Sequence, residues 1–265
     1  IIIVFANGLV IGPFLPFLAI FVRDQLGADQ AIAGNYRAVT AVMMGITGLF
    51  AAVASDRLGP KLSLVIGLLS TGAAALVFIV GSEWTLLFLA VLHGGGHGLV
   101  SVGGETYLVR AAPGYRIGAA SATYFLGNTV GAAIGAAAGG ALLEMTSFTV
   151  LGSLMLAGSL VITAAAAIWL PNFRPVQDVP LGMWQMLAGY ARMLNRGYVR
   201  PFIAIELLRS IFWATAALGM PFIVATLTGS NAAAGYFSGF SLVAGMVAMF
   251  VVGPISDRIG RRYVF

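Results

Sequence analysis

The chain has 265 residues, of which 60% are hydrophobic and 9% charged, with no cysteine, two histidines and a net charge of +5. A soluble domain carries about 25% charged residues, so a chain of mean hydropathy +0.98 has too little polar surface to remain in water. The missing cysteines exclude a disulfide frame and a thiolate metal site, two histidines are too few for a metal cluster, and no cofactor is expected.

A membrane-spanning helix needs about 20 mostly apolar residues. Eight stretches qualify: 1–22, 32–54, 61–80, 84–107, 117–143, 148–170, 200–226 and 233–254. Their apolar runs are unbroken rather than alternating, which predicts helices and not barrel strands. The fold class is therefore all-α, a polytopic membrane protein. The start at Ile1 shows no basic n-region or cleavage site, so the first span is not read as a signal peptide. The chain reads as a fragment, with more helices expected after Phe265.

The first span carries one amide, Asn7. The second ends in Ala52-Val53-Ala54-Ser55-Asp56-Arg57-Leu58-Gly59-Pro60-Lys61, a short charged turn. Gly59 permits a tight reversal because glycine takes positive φ cheaply. Asp56 can accept from exposed helix N-terminal amides, and Arg57 and Lys61 suit anionic headgroups or a neighbouring acid.

The fourth span holds His93-Gly94-Gly95-Gly96-His97. Histidines four apart share a helix face, and imidazoles at mid-membrane suit proton coupling. A structural hydrogen bond to a neighbouring helix is the plainer alternative. The glycines between them leave room for a ligand or for close packing. Glu105 and Arg110, at the end of this span, are expected to join a cytoplasmic charge network. The fifth span places Gly118, Gly127, Gly131, Gly135 and Gly139 along a face that allows close helix packing.

The connection 171–199 combines Pro171, Pro175 and Pro180 with Trp184, Leu187, Ala188, Ala191 and Leu194 at helical spacing and with Arg192 and Arg196. That pattern suits an amphipathic helix on the membrane surface. It divides a six-helix unit, 1–170, from the first two helices of a second unit, 200–265. In the seventh span Glu206 and Arg209 lie three apart on one face. They read as a self-satisfied pair, or as a proton carrier (Glu206) and an attractor of anionic substrate (Arg209). Asn7, Tyr124, Asn128, Trp213 and Tyr236 are candidate cavity-lining groups, each of which could equally serve a single interhelical contact.

The eighth span ends in Gly253-Pro254-Ile255-Ser256-Asp257-Arg258-Ile259-Gly260-Arg261-Arg262, the earlier charged turn written again 201 residues later. At the same offset Leu26, Ala31, Ala33, Gly34 and Val42 recur as Leu227, Ala232, Ala234, Gly235 and Val243. Spans 7–8 thus repeat spans 1–2 in the same orientation, as in parallel repeats. Connections after even-numbered spans hold 11 of the 14 Lys and Arg. Those connections and the N-terminus are accordingly expected on the cytoplasmic side of a cell membrane. The basic charge follows topology, so no nucleic-acid partner is expected.

With these features the chain resembles the major facilitator superfamily of secondary transporters, whose two six-helix units each carry the loop Gly-x-x-x-Asp-Arg/Lys-x-Gly-Arg-Arg/Lys. The second copy matches through Gly253, Asp257, Arg258, Gly260, Arg261 and Arg262. The first departs at Ala52 and Pro60. The resemblance implies that these loops latch the two units together on the cytoplasmic side; the alternative is a basic anchor with a helix cap. Span 5 is similar to the family's antiporter signature, with Ala132 where its proline belongs. Ala90 stands near the place where the family often carries an arginine. The implied function is alternating-access transport of a small molecule within the lipid bilayer, with proton-coupled export of an amphipathic or drug-like compound as the first choice. Uptake of a small metabolite or anion, and a carrier-like protein that does not transport, are the rivals. A membrane enzyme lacks any catalytic constellation here, and oligomeric state is not legible.

Overall fold

The computed structural model describes residues 1–112, 117–173, 183–197 and 199–259, with side chains described except at 183–184, 186–187 and 249–259. Its elements are helices: α1 (Ile2–Ile11), α2 (Phe14–Asp24), α3 (Ala31–Leu58), α4 (Pro60–Gly72), a 3-10 turn (Ala73–Leu76), α5 (Val77–Val80), α6 (Glu83–Ala111), α7 (Ile117–Met145), α8 (Phe148–Trp169), α9 (Met183–Leu194), α10 (Val199–Thr228) and α11 (Asn231–Ile259). Among the described residues seven spans are long and apolar enough to cross a membrane. The eighth expected span, α11, is a continuous helix of 29 residues. Helices follow because hydrocarbon offers backbone groups no partner except one another.

Two expected spans are less regular than their composition suggests. The first is broken at Gly12-Pro13, where α1 gives way to α2. Pro13 has no N–H to offer the Leu9 carbonyl one turn back. That carbonyl instead lies against the bare Cα face of Gly135 on α7, where an added Cβ would collide with it. Span 3 tightens into a 3-10 turn at Ala73–Leu76 before resuming as α5. Between spans 2 and 3 the reversal is a single residue: Gly59, at φ +90°, ends α3, and Pro60 opens α4.

The core lies in the half of the bundle away from this turn. Phe14, Phe21, Phe78 and Phe148 join α2, α5 and α8 with ring centroids 5.3–5.5 Å apart in tilted and edge-on pairs. Glycines set the closest helix approaches. A Cβ on Gly94 would run into the Thr40 carbonyl of α3, one on Gly98 would lie 2.8 Å from the Met44 carbonyl oxygen, and one on Gly96 would lie 2.6 Å from the Thr71 nitrogen of α4. The run between the two histidines therefore serves packing on both neighbours, which was one of the two uses expected of it.

In α7 the glycine stripe works on two faces. Gly131 and Gly135 receive the Phe5 and Leu9 carbonyls of α1, and Gly139 receives the Pro13 ring. Gly140 faces Gly235 of α11 instead, and Gly239 faces Ala133. Gly118 has nothing within 4 Å and Gly127 only ordinary contacts, so the packing stripe begins at Gly131. The ends of α3 and α11, Ala31–Leu58 and Asn231–Ile259, agree to within one residue at the 201 offset.

Candidate functional site

A cavity of about 460 Å³ opens between α1, α4, α6 and α7 on one side and α10 and α11 on the other. Five of the residues singled out above line it: Asn7, His97, Tyr124, Asn128 and Trp213. Asn7 and Asn128 line it near the place where α1 and α7 touch through Gly8, whose Cβ would strike the Asn128 backbone carbonyl. His97 Nδ1 lies 3.3 Å from Ser101 Oγ, one turn along the same helix.

Four other candidates lie elsewhere. His93 is buried behind His97, with its Nδ1 3.1 Å from the Tyr36 hydroxyl and its ring edge-on to Phe14 at 5.1 Å. It fits the structural hydrogen bond to a neighbouring helix, although its ring centroid remains 6.3 Å from that of His97. Glu206 and Arg209 form the self-satisfied pair at 2.6 Å, outside the cavity lining. Tyr236, on α11, is 58% exposed and does not line the cavity.

One residue reasoned to a different place belongs here. Arg110 does join a charge network, donating to Asp56 at 2.7 Å, whereas Glu105 lines the cavity. The two residues are five apart, so about 500° of helical rotation puts them on different faces. The only sequence cue is that Glu105 lies two helical turns after His97 and one after Ser101, on the same stripe.

The ends of the bundle differ. At the end carrying the first signature turn, Asp56 and Arg110 tie α3 to α6, and the Tyr107 hydroxyl donates to the Pro171 carbonyl at 3.3 Å. The first of these lies within the first six spans, and the second reaches the start of the connection that follows them. Hydrogen bonds cross to α10 and α11 at the opposite end. Glu144, at the tip of α7, accepts from Ser230 Oγ at 2.7 Å and from the Ala232 amide at 2.9 Å, capping α11. Arg23 donates to Thr226 Oγ1 at 2.7 Å and lies over the Phe222 ring at 5.1 Å. The cavity lining reaches Leu64 and Glu105 towards the signature end, while these hydrogen bonds join the two groups of spans at the other. In the second signature copy the α11 backbone stays helical through Gly253, Asp257 and Arg258. Gly260, Arg261 and Arg262 lie outside the described residues, as do Arg116, Arg174, Pro175 and Pro180. No three metal-ligating side chains come together among the described residues.

A helical membrane bundle with a mostly apolar cavity between two groups of spans is an architecture that suits a secondary transporter. The model of the Major Facilitator Superfamily matches residues 1–265, and the chain belongs to that family: it is a multi-pass membrane protein of a transport family, not an enzyme. Solved structures with the same fold include a D-xylose-proton symporter (TM-score 0.68, 14% identity, 97% of this chain and 68% of that one). The peptide transporter POT follows at TM-score 0.65 and 15% identity, over 98% of this chain and 68% of that one. The xylose transporter XylE from E. coli, solved in an inward open conformation, gives TM-score 0.61 and 14% identity over 98% of this chain and 69% of that one. The chain therefore spans about two-thirds of the length of these transporters. No curated protein matches at a significant level.

Proposed function

We propose that the chain forms the larger part of a proton-coupled secondary transporter that exports a small amphipathic compound by alternating access. The observation that carries this reading is the cavity itself, whose lining reaches Leu64 and Glu105 near the signature turn, while Glu144 and Arg23 join the two groups of spans at the other end. The Lys and Arg distribution supports a cytoplasmic position for that turn in a cell membrane, and in this reading the state described faces the cytoplasm. The proposed division is a six-helix unit over 1–170, a surface linker over 171–199 and the start of a parallel second unit over 200–265. The 201-residue repeat and the matching bounds of α3 and α11 support it.

Within the cavity His97 and Glu105 are the titratable side chains of α6, and they are the coupling residues in this reading. The glycine stripe of α7 supports export through its likeness to the antiporter signature. Anion uptake through Arg209 loses its support, because that guanidinium is paired with Glu206 away from the cavity. The test is flux in proteoliposomes under an imposed pH gradient. Substrate should leave the compartment facing the signature loops as protons enter it. Flux that ignores the gradient would remove proton coupling, and flux in the same direction as the protons would reverse the export assignment.

A further inference from the structure

Among the described residues that line the cavity, Glu105 is the one carboxylate, and none is Lys or Arg. Glu105 forms no ion pair among the described residues. The nearest basic residue along α6, Arg110, is engaged with Asp56. Beside Glu105, the Tyr124 hydroxyl lies over Gly104, where an added Cβ would strike it. The Tyr124 ring meets Phe125 edge-on at 5.6 Å. Phe125 and Trp213, half exposed, present their rings to the same space from α7 and α10.

Two of the lining hydroxyls are already committed. Thr71 donates to the Gly67 carbonyl and Ser238 to the Ala234 carbonyl. An anion would meet a carboxylate with no counter-charge among the described lining residues. A positive charge, by contrast, is attracted both by the carboxylate and by aromatic faces.

Resting on the carrier reading above, we infer that the cavity binds a lipophilic organic cation, with Glu105 as the counter-ion and Tyr124, Phe125 and Trp213 as the aromatic wall. Glu105 then has two occupants, the cation and a proton, and cannot hold both. That competition would supply exchange of one for the other.

The test compares two probes of one shape and opposite charge, tetraphenylphosphonium and tetraphenylborate, by saturable binding to the whole purified chain in nanodiscs. Tetraphenylphosphonium should bind, and tetraphenylborate should bind about tenfold more weakly or not at all. Glu105→Gln should weaken the cation by about tenfold while Glu105→Asp retains most of its affinity. Glu206→Gln, a carboxylate outside the cavity, should leave binding unchanged. Equal binding of the two probes, no saturable binding of the cation, or a Glu105→Gln effect within about twofold would overturn the assignment. Should Glu105→Gln fail to fold, the two-probe comparison on the parent protein decides alone. Proton-driven flux of a neutral or anionic compound, with no cation binding, would sink this inference and leave the carrier reading standing. Cation binding without any flux would do the reverse.

Discussion

The contact between α7 and α11 is the tightest backbone approach across the end away from the signature turn, and Gly235→Ala tests it. A Cβ at this position would lie 2.5 Å from the Ala136 carbonyl oxygen and 3.0 and 3.2 Å from the Gly140 Cα and nitrogen. All three are backbone atoms, so no side chain can swing aside. Ordinary contact begins near 3.4 Å, which requires the helices to part by about 0.9 Å. Overpacking of this kind costs about 2 kcal/mol, or roughly 30-fold in the balance between closed and open far ends. Alanine also raises helix propensity by about 1 kcal/mol, but equally in both states, so it cancels from the ratio. Because the chain has no cysteine, spin labels at Met145→Cys and Leu227→Cys report the far end cleanly. Gly235→Ala should shift their distance distribution toward longer separations. Gly245→Ala, on the same helix with nothing within 4 Å, should not. Identical distributions in the parent and both variants would refute the claim that this packing holds the end closed.

Three further outcomes are expected. A double-mutant cycle of Asp56→Asn with Arg110→Gln, read by thermal unfolding, should give a coupling of about 1 kcal/mol, since the pair is only partly buried; additive effects would contradict the tie between α3 and α6. Glu144→Gln should accelerate amide exchange over residues 230–232, where the carboxylate accepts from Ser230 and the Ala232 amide; unchanged protection would remove Glu144 from the join between the two groups of spans. Gly131→Ala and Gly135→Ala, which drive a Cβ into the Phe5 and Leu9 carbonyls, should each destabilise the fold by about 1–3 kcal/mol. Gly118→Ala, with nothing within 4 Å, should be neutral, and equal losses at all three positions would argue against a stripe that begins at Gly131.

Much of the architecture was legible because hydrocarbon imposes one backbone solution and the 201-residue repeat fixes the register of spans 7 and 8 on spans 1 and 2. Pro13 and Pro16 within span 1 were the visible cue to the break at Gly12, and averaging the span by hydropathy hid them. What the sequence could not give was the facing of each helix. A spanning helix is apolar around its whole circumference, so periodicity does not mark the inward side. Glu206 and Arg209 could be paired by their spacing, but not turned away from the cavity. Tyr236 and Trp213 looked alike as aromatics, yet only Trp213 lines the cavity. The glycine spacing of α7 announced close packing, while its partners, α1 on one face and α11 on the other, depend on the Pro13 break and the second unit.

Alternating access is most directly tested by one cysteine in an otherwise cysteine-free chain. Ala217→Cys lines the cavity from α10 and can be probed with a membrane-impermeant thiol reagent applied to either face of oriented vesicles. In the resting protein it should react from the face bearing the signature loops and resist the reagent from the other. With Gly235→Ala added, or with an imposed proton gradient, reactivity should appear at the opposite face and fall at the first. Simultaneous reaction from both faces would describe a channel, and reaction from one face under every condition would describe a carrier-like protein that does not transport.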